Sequence, residues 1–150
     1  MKKFRFSLVK AVLLSLLMFP IMANAETFAV IVNKANAMSA DKASMTQTLR
    51  RLYLADTTSW PNGEASRPIL PDESAAAYQA MLDTIIGMSG SEWATHWVRL
   101  KQQTGQTPPQ SFNERMAIRV VERSAGGVAV VPVETAKGSS DVRVLMEFTN

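Results

Sequence analysis

The chain has 150 residues, 47% of them hydrophobic, with no cysteine, a formal net charge of +3 and a pI near 9.4. The absence of cysteine excludes disulfides, thiolate metal sites and cysteine nucleophiles, so packing alone must stabilise the fold in any redox compartment. A basic balance points to a polyanionic partner only if it survives into the working protein, and the first segment argues that it does not.

Lys2, Lys3, Arg5 and Lys10 surround the start of an apolar run from Ala11 to Met22, broken only by Ser15 and Pro20 and followed by the small residues of Ala23-Asn24-Ala25. These are the three parts of a secretory signal peptide. The run is shorter than the roughly 20 residues that span a bilayer, which favours cleavage over an uncleaved anchor. Processing after Ala25 is expected to leave Glu26 first and to deliver residues 26–150 to the periplasm as one α/β domain. It removes four of the 16 basic residues and leaves 12 against 13 acidic ones, a net charge near −1. That balance gives no support to nucleic-acid binding, and the remaining length matches one domain with its own core.

Thr27 to Asn33 is a compact β-branched run that reads as a buried strand. Ser39 or Ser44 is placed to cap a helix whose Met45, Leu49, Leu52 and Tyr53 share one face, with Arg50 and Arg51 towards solvent. Trp60-Pro61-Asn62-Gly63 is a turn, and the extended Arg67-Pro68-Ile69-Leu70 leads into Pro71-Asp72-Glu73-Ser74, where a second helix is expected to begin. Tyr78, Met81, Leu82, Ile85 and Ile86 keep helical spacing, and Gly87 closes the run.

Ser89-Gly90-Ser91-Glu92 starts a third helix with Trp93, Trp97 and Leu100 as its buried stripe, ending before Gly105 and Pro108-Pro109. Ser111 and Glu114 form a capping-box pattern ahead of Phe112, Met116 and Val120 in a fourth. Gly126-Gly127 ends that helix, Val128 to Val133 reads as a second buried strand, Lys137-Gly138-Ser139-Ser140 as a turn, and Val142 to Phe148 as a final alternating strand. Strands separated by helices predict an α/β sandwich.

The usual enzyme constellations are missing: there is no HExxH, P-loop, GxSxG or GxGxxG after a strand. His96, the single histidine, reads as packing or surface, and the methionines outside the leader sit largely at helical core spacings. Neither a cofactor nor a metal is expected, and binding stands ahead of catalysis. A hydrolase built on Asp72 and Glu73 ranks lower, because adjacent carboxylates at a helix start commonly serve as caps.

The helix start at Asp72-Glu73-Ser74-Ala75-Ala76 has two readings. Unpaired N–H groups and the positive dipole end there suit an anion, whereas Asp72, Glu73 or Ser74 as a cap would consume the same donors. From these residues alone, capping is the simpler reading.

The order of the segments resembles the phosphate-binding proteins of ABC transporters, within the type 2 periplasmic-binding superfamily. The resemblance rests on Phe28 to Asn33, on Leu49-Arg50-Arg51-Leu52-Tyr53-Leu54 through Trp60-Pro61-Asn62-Gly63, on Ser91-Glu92-Trp93 to Trp97, on the Gly105 to Pro108 segment, and on Ala125-Gly126-Gly127-Val128-Ala129-Val130-Val131. It implies a single lobe of a periplasmic-binding-protein-like fold, with a mixed sheet flanked by about four helices. The family's Arg-x-Asp-x-Ser-Gly-Thr phosphate run falls on Leu70-Pro71-Asp72-Glu73-Ser74-Ala75-Ala76, where Asp and Ser match and Arg, Gly and Thr do not.

The implied ligand site is therefore Asp72, Ser74 and the Ala75 and Ala76 amides, with Arg67 as a replacement for the lost cation. The implied role is binding of phosphate or a related oxyanion, with an ABC transporter membrane component or another envelope protein as partner. The alternative is a non-catalytic envelope interaction module that keeps the fold without tight phosphate binding.

Overall fold

The computed structural model describes residues 25–150, so the signal-peptide reading of residues 1–25 lies, Ala25 apart, outside the described residues. At the centre is β1 (Thr27–Asn33), with β5 (Gly127–Pro132) and β6 (Val142–Thr149) antiparallel on its two sides. The short β2 (Arg67–Pro68) runs parallel to β5 at one edge, giving the order β2-β5-β1-β6. A separate parallel pair joins β3 (Leu70–Pro71) to β4 (Ser111–Phe112).

Register explains why β1 and β5 read as unbroken apolar runs. Val30 lies opposite Val130 on one side and Met146 on the other, and strand alternation then puts Phe28, Val30, Val32, Val128, Val130, Met146 and Phe148 on one face. Ala29, Ile31, Ala129 and Val131 share the opposite face. Both faces are covered, so neither phase of the alternation can be polar.

The first face packs against α1 (Lys42–Tyr53), α2 (Ala76–Met81) with its π-helical continuation Leu82–Ile86, and α3 (Gly90–Thr104). The second packs against α4 (Glu114–Arg123) and the single-turn α5 (Val133–Ala136). The small side chains of Ala29, Ala129, Ala117 and Ala136 on this second face let α4 and α5 approach the sheet closely. The result is a mixed sheet between two helical layers, the α/β class expected.

Several helix starts differ from the sequence expectation, each for a local reason. Asp41, rather than Ser39 or Ser44, caps α1: its carboxylate accepts the Ser44 N–H at 3.0 Å and the Ser44 hydroxyl at 2.6 Å, bonds that hold its pKa below the ordinary carboxylate value. Asn113, rather than Ser111, caps α4, its Oδ1 accepting the Met116 N–H at 3.0 Å, while Ser111 belongs to β4 and donates to the Pro71 carbonyl at 2.9 Å. Ala117 and Val121 consequently face the sheet, and Met116 is 41% exposed instead of buried. Val133 begins α5 instead of ending β5. The helix read as starting at Asp72 starts at Ala76, and its second half widens into a π-turn in which the Gly87 N–H reaches the Leu82 carbonyl at 2.7 Å.

Candidate functional site

β3 and β4 run side by side in the same direction; β3 is followed by a turn and α2, and β4 by the cap residue Asn113 and α4. Their carboxyl ends therefore deliver two helix N-termini to one place, the crevice geometry favoured for ligands in α/β folds. A cleft of about 450 Å³ lies there, lined by Pro71, Asp72, Ala75 and Ala77 from one side and by Phe112, Asn113, Glu114, Arg115 and Ala117 from the other, with Val130 of the sheet also lining it.

On the α2 side the Ala75 N–H closes a turn onto the Asp72 carbonyl at 2.9 Å, and the Tyr78 N–H bonds the Ala75 carbonyl at 3.0 Å. Ala75 occupies the cap position and supplies no side-chain bond, so the N–H groups of Ala76 and Ala77 are left without a partner among the described residues. On the α4 side Asn113 satisfies the N–H groups of Met116, through its side chain, and of Ala117, through its carbonyl at 2.8 Å. Those of Glu114 and Arg115 stay unpaired in the same sense. Two positive dipole ends thus border a single cleft.

The side chains modify that field in both directions. Arg115 adds a full positive charge, while Asp72 adds a negative one at the mouth, where it is exposed. Glu114 lines the cleft, but its carboxylate accepts the Thr135 hydroxyl of α5 at 2.9 Å, a bond that occupies one of its oxygens. Tyr78, just inside α2, has its phenol pKa raised above the ordinary value by partial burial and then by the Glu73 carboxylate.

The residues singled out from the sequence divide as follows. Asp72 and Ala75 line the cleft; Ser74 and Ala76 are exposed in the same turn and first helical residue. Neither Asp72 nor Ser74 caps α2, so the simpler capping reading is corrected: the main chain from Asp72 to Ala75 makes the turn instead. Arg67 lies apart, on β2, where its Nη1 donates to the Ser124 hydroxyl at 3.1 Å and it borders a different hollow with Arg119 and Arg123. The cation at the cleft is Arg115, which sequence reasoning missed; the capping pattern near Glu114 marked its helix start, but only the β3–β4 pairing sets that start beside Asp72.

His96 sits against Trp97, ring centroids 5.3 Å apart and nearly perpendicular, and its Nε2 donates to the Leu54 carbonyl at 3.0 Å. Because a carbonyl can only accept, Nε2 carries the proton, and the ring ties α3 to the end of α1. Among the described residues no group of three histidine, aspartate or glutamate side chains is placed to hold a metal ion.

No protein-family model and no curated protein matches the sequence. Among solved structures, an ABC-type phosphate transport receptor from Vibrio cholerae superposes with a TM-score of 0.59 at 12% identity, over 81% of this chain and 46% of that chain. A possible phosphate binding protein from Planctomyces limnophilus DSM 3776 superposes with a TM-score of 0.54 at 14% identity, over 81% of this chain and 42% of that one. The likeness is one of fold: this domain shares its mixed α/β architecture with both structures. The chain spans less than half the length of either structure.

Proposed function

We propose that the protein is a periplasmic solute-binding component that takes phosphate or a related oxyanion at the cleft between the starts of α2 and α4. The observation that carries this reading is the convergence of two helix N-termini, with four unpaired N–H groups between them, on one cleft that also holds Arg115. In this reading the Ala76 and Ala77 amides and the Ala75 turn cradle the oxyanion, Ser74 donates a hydroxyl from the rim, and Arg115 takes the role expected of Arg67. Asp72 can only accept, so it favours an oxyanion that keeps a proton at neutral pH, such as phosphate, over sulfate.

The fold neighbours support a solute-binding role at the level of architecture, and the leader-like residues 1–25 support secretion. An ABC transporter membrane component is the natural recipient of the ligand. The cleft is open, with walls from this domain only, so affinity is expected in the micromolar range or weaker unless a second surface closes over it.

Calorimetric titration of the purified protein with phosphate and sulfate tests the site. Saturable phosphate binding is expected, weakened about tenfold or more by Arg115→Gln, which removes a charge-assisted donor. Asp72→Asn is expected to narrow the preference for phosphate over sulfate. Equal affinity of the parent and of an Arg115→Gln, Ser74→Ala double variant would place any binding elsewhere.

A further inference from the structure

Helix α4 keeps its charges on separate sides. At about 100° per residue, Arg115, Arg119 and Arg123 form one stripe directly opposite Ala117 and Val121, the residues that face the sheet. All three arginines are exposed. The two glutamates of the helix lie on the flank towards α5 and are engaged there: Glu114 accepts from Thr135 at 2.9 Å and Glu122 from Ser139 at 2.6 Å. Arg67 extends the stripe past the end of α4, held by the Ser124 hydroxyl at 3.1 Å.

A hollow of about 290 Å³ opens between Arg67, Arg119 and Arg123, with Met116 and Val120 also lining it. Lys137–Glu134 is the ion pair among the described residues, so none of the four guanidinium groups has a carboxylate partner there. Like charges one turn apart destabilise a helix, and four of them gathered on a domain of near-neutral charge are a cost with no return inside the molecule.

We propose that this face docks an acidic segment of a partner protein, with carboxylates spaced one helical turn apart. The arginine stripe extends about 12 Å along α4 in steps of one turn, a repeat that glutamates at every fourth position of a helix reproduce. Guanidinium forks take carboxylates bidentately, and the apolar Met116 and Val120 suit the aliphatic stems of the incoming side chains. A flat lipid headgroup layer fits less well: it does not enter a recess, and α4 has no exposed aromatic residue to insert into it. This inference shares Arg115 with the oxyanion cleft, and its test leaves that residue untouched.

The experiment is fluorescence anisotropy of a labelled helical peptide with glutamate at every fourth position, titrated with the purified protein at about 50 mM salt and again at about 300 mM. Saturable binding is expected at the lower salt, weakened about tenfold by Arg119→Gln, Arg123→Gln and reduced again by added salt. The control variant Arg50→Gln, Arg99→Gln removes the same charge from the layer on the other side of the sheet and is expected to change binding less than twofold. Circular dichroism of both variants checks that the fold is kept. No saturable binding, or equal losses in the two variants, would overturn the proposal. So would stronger retention on phosphatidylglycerol vesicles with the same variant dependence, which would make lipid the occupant.

Discussion

Gly126→Ala probes the part of the fold that feeds the candidate site. A β-carbon placed on Gly126 would lie 1.7 Å from the Ala65 carbonyl oxygen, 2.9 Å from its carbon and 3.3 Å from the Ser66 Cα. The obstacle is backbone, so no side-chain rotation relieves it. Segment 65–66 is pinned on both sides: the Ser66 N–H bonds the Thr58 carbonyl at 2.9 Å, and the Arg67 N–H bonds the Gly126 carbonyl at 2.8 Å. That same Gly126 carbonyl accepts the indole N–H of Trp60, a side chain only 1% exposed, at 3.0 Å.

Separating the strands enough to admit a methyl group therefore costs the β2–β5 bond and leaves the buried indole donor unpaired, about 1 and 1–3 kcal/mol, beside an overpacking strain of about 1–3 kcal/mol. The expected total is roughly 3–7 kcal/mol, a large share of the 5–15 kcal/mol typical of a domain and a fall in Tm of about 10–30 °C. Urea denaturation followed by tryptophan fluorescence measures it. Gly90→Ala, in open space at the first residue of α3, serves as the control and should be neutral or stabilising by up to about 1 kcal/mol. Because β2 leads directly into β3 and Asp72, the Gly126 variant should also weaken oxyanion binding. A Gly126→Ala protein within about 0.5 kcal/mol of the parent would refute the packing argument.

Tyr53→Phe should cost about 1–2 kcal/mol in the same denaturation assay, because the fully buried hydroxyl donates to the Ile69 carbonyl at 2.9 Å where β2 turns into β3. Ultraviolet titration should show both tyrosines ionising later than a free phenol in the folded protein: burial pushes Tyr53 far up, and partial burial with the Glu73 charge pushes Tyr78 up. Since both phenols bind their protons more tightly folded than unfolded, stability from this source is whole below about pH 10 and declines as pH rises beyond it. A normal tyrosine titration without unfolding would contradict that burial.

Much of this architecture was legible in the chain because its causes are local. The run Thr27–Asn33 is a strand with those bounds, the start signal Ser89–Glu92 does begin a helix and closes as a capping box, and Gly87 and Gly105 end helices with the positive φ that glycine adopts without strain. Met45, Leu49, Leu52 and Tyr53 share the buried face of α1 as their spacing demands. Local signals misled where two polar residues competed for one role: Asp41 outbid Ser44 as a cap because its carboxylate accepts both the Ser44 N–H and hydroxyl, and Asn113 displaced Ser111 once Ser111 was drawn into β4.

The candidate site belongs to the other category. Asp72 and Ala75 were identifiable from the turn and the helix that follows, but Arg115 lies more than forty residues away, and nothing in the spacing joins the two. Two residues of parallel pairing, Leu70 with Ser111 and Pro71 with Phe112, bring the helix starts to one cleft; strands that short carry almost no sequence signature. The same limit applies to Arg67, whose chemistry suited the cleft but whose strand leads it to Ser124. Sequence by itself determined which segments bury their side chains and that helices end at Gly87 and Gly105, since those follow from neighbours a few residues apart. Tertiary structure alone decided which helix ends share a cleft and which arginines stand together, because those depend on long-range strand pairing that local chemistry does not encode.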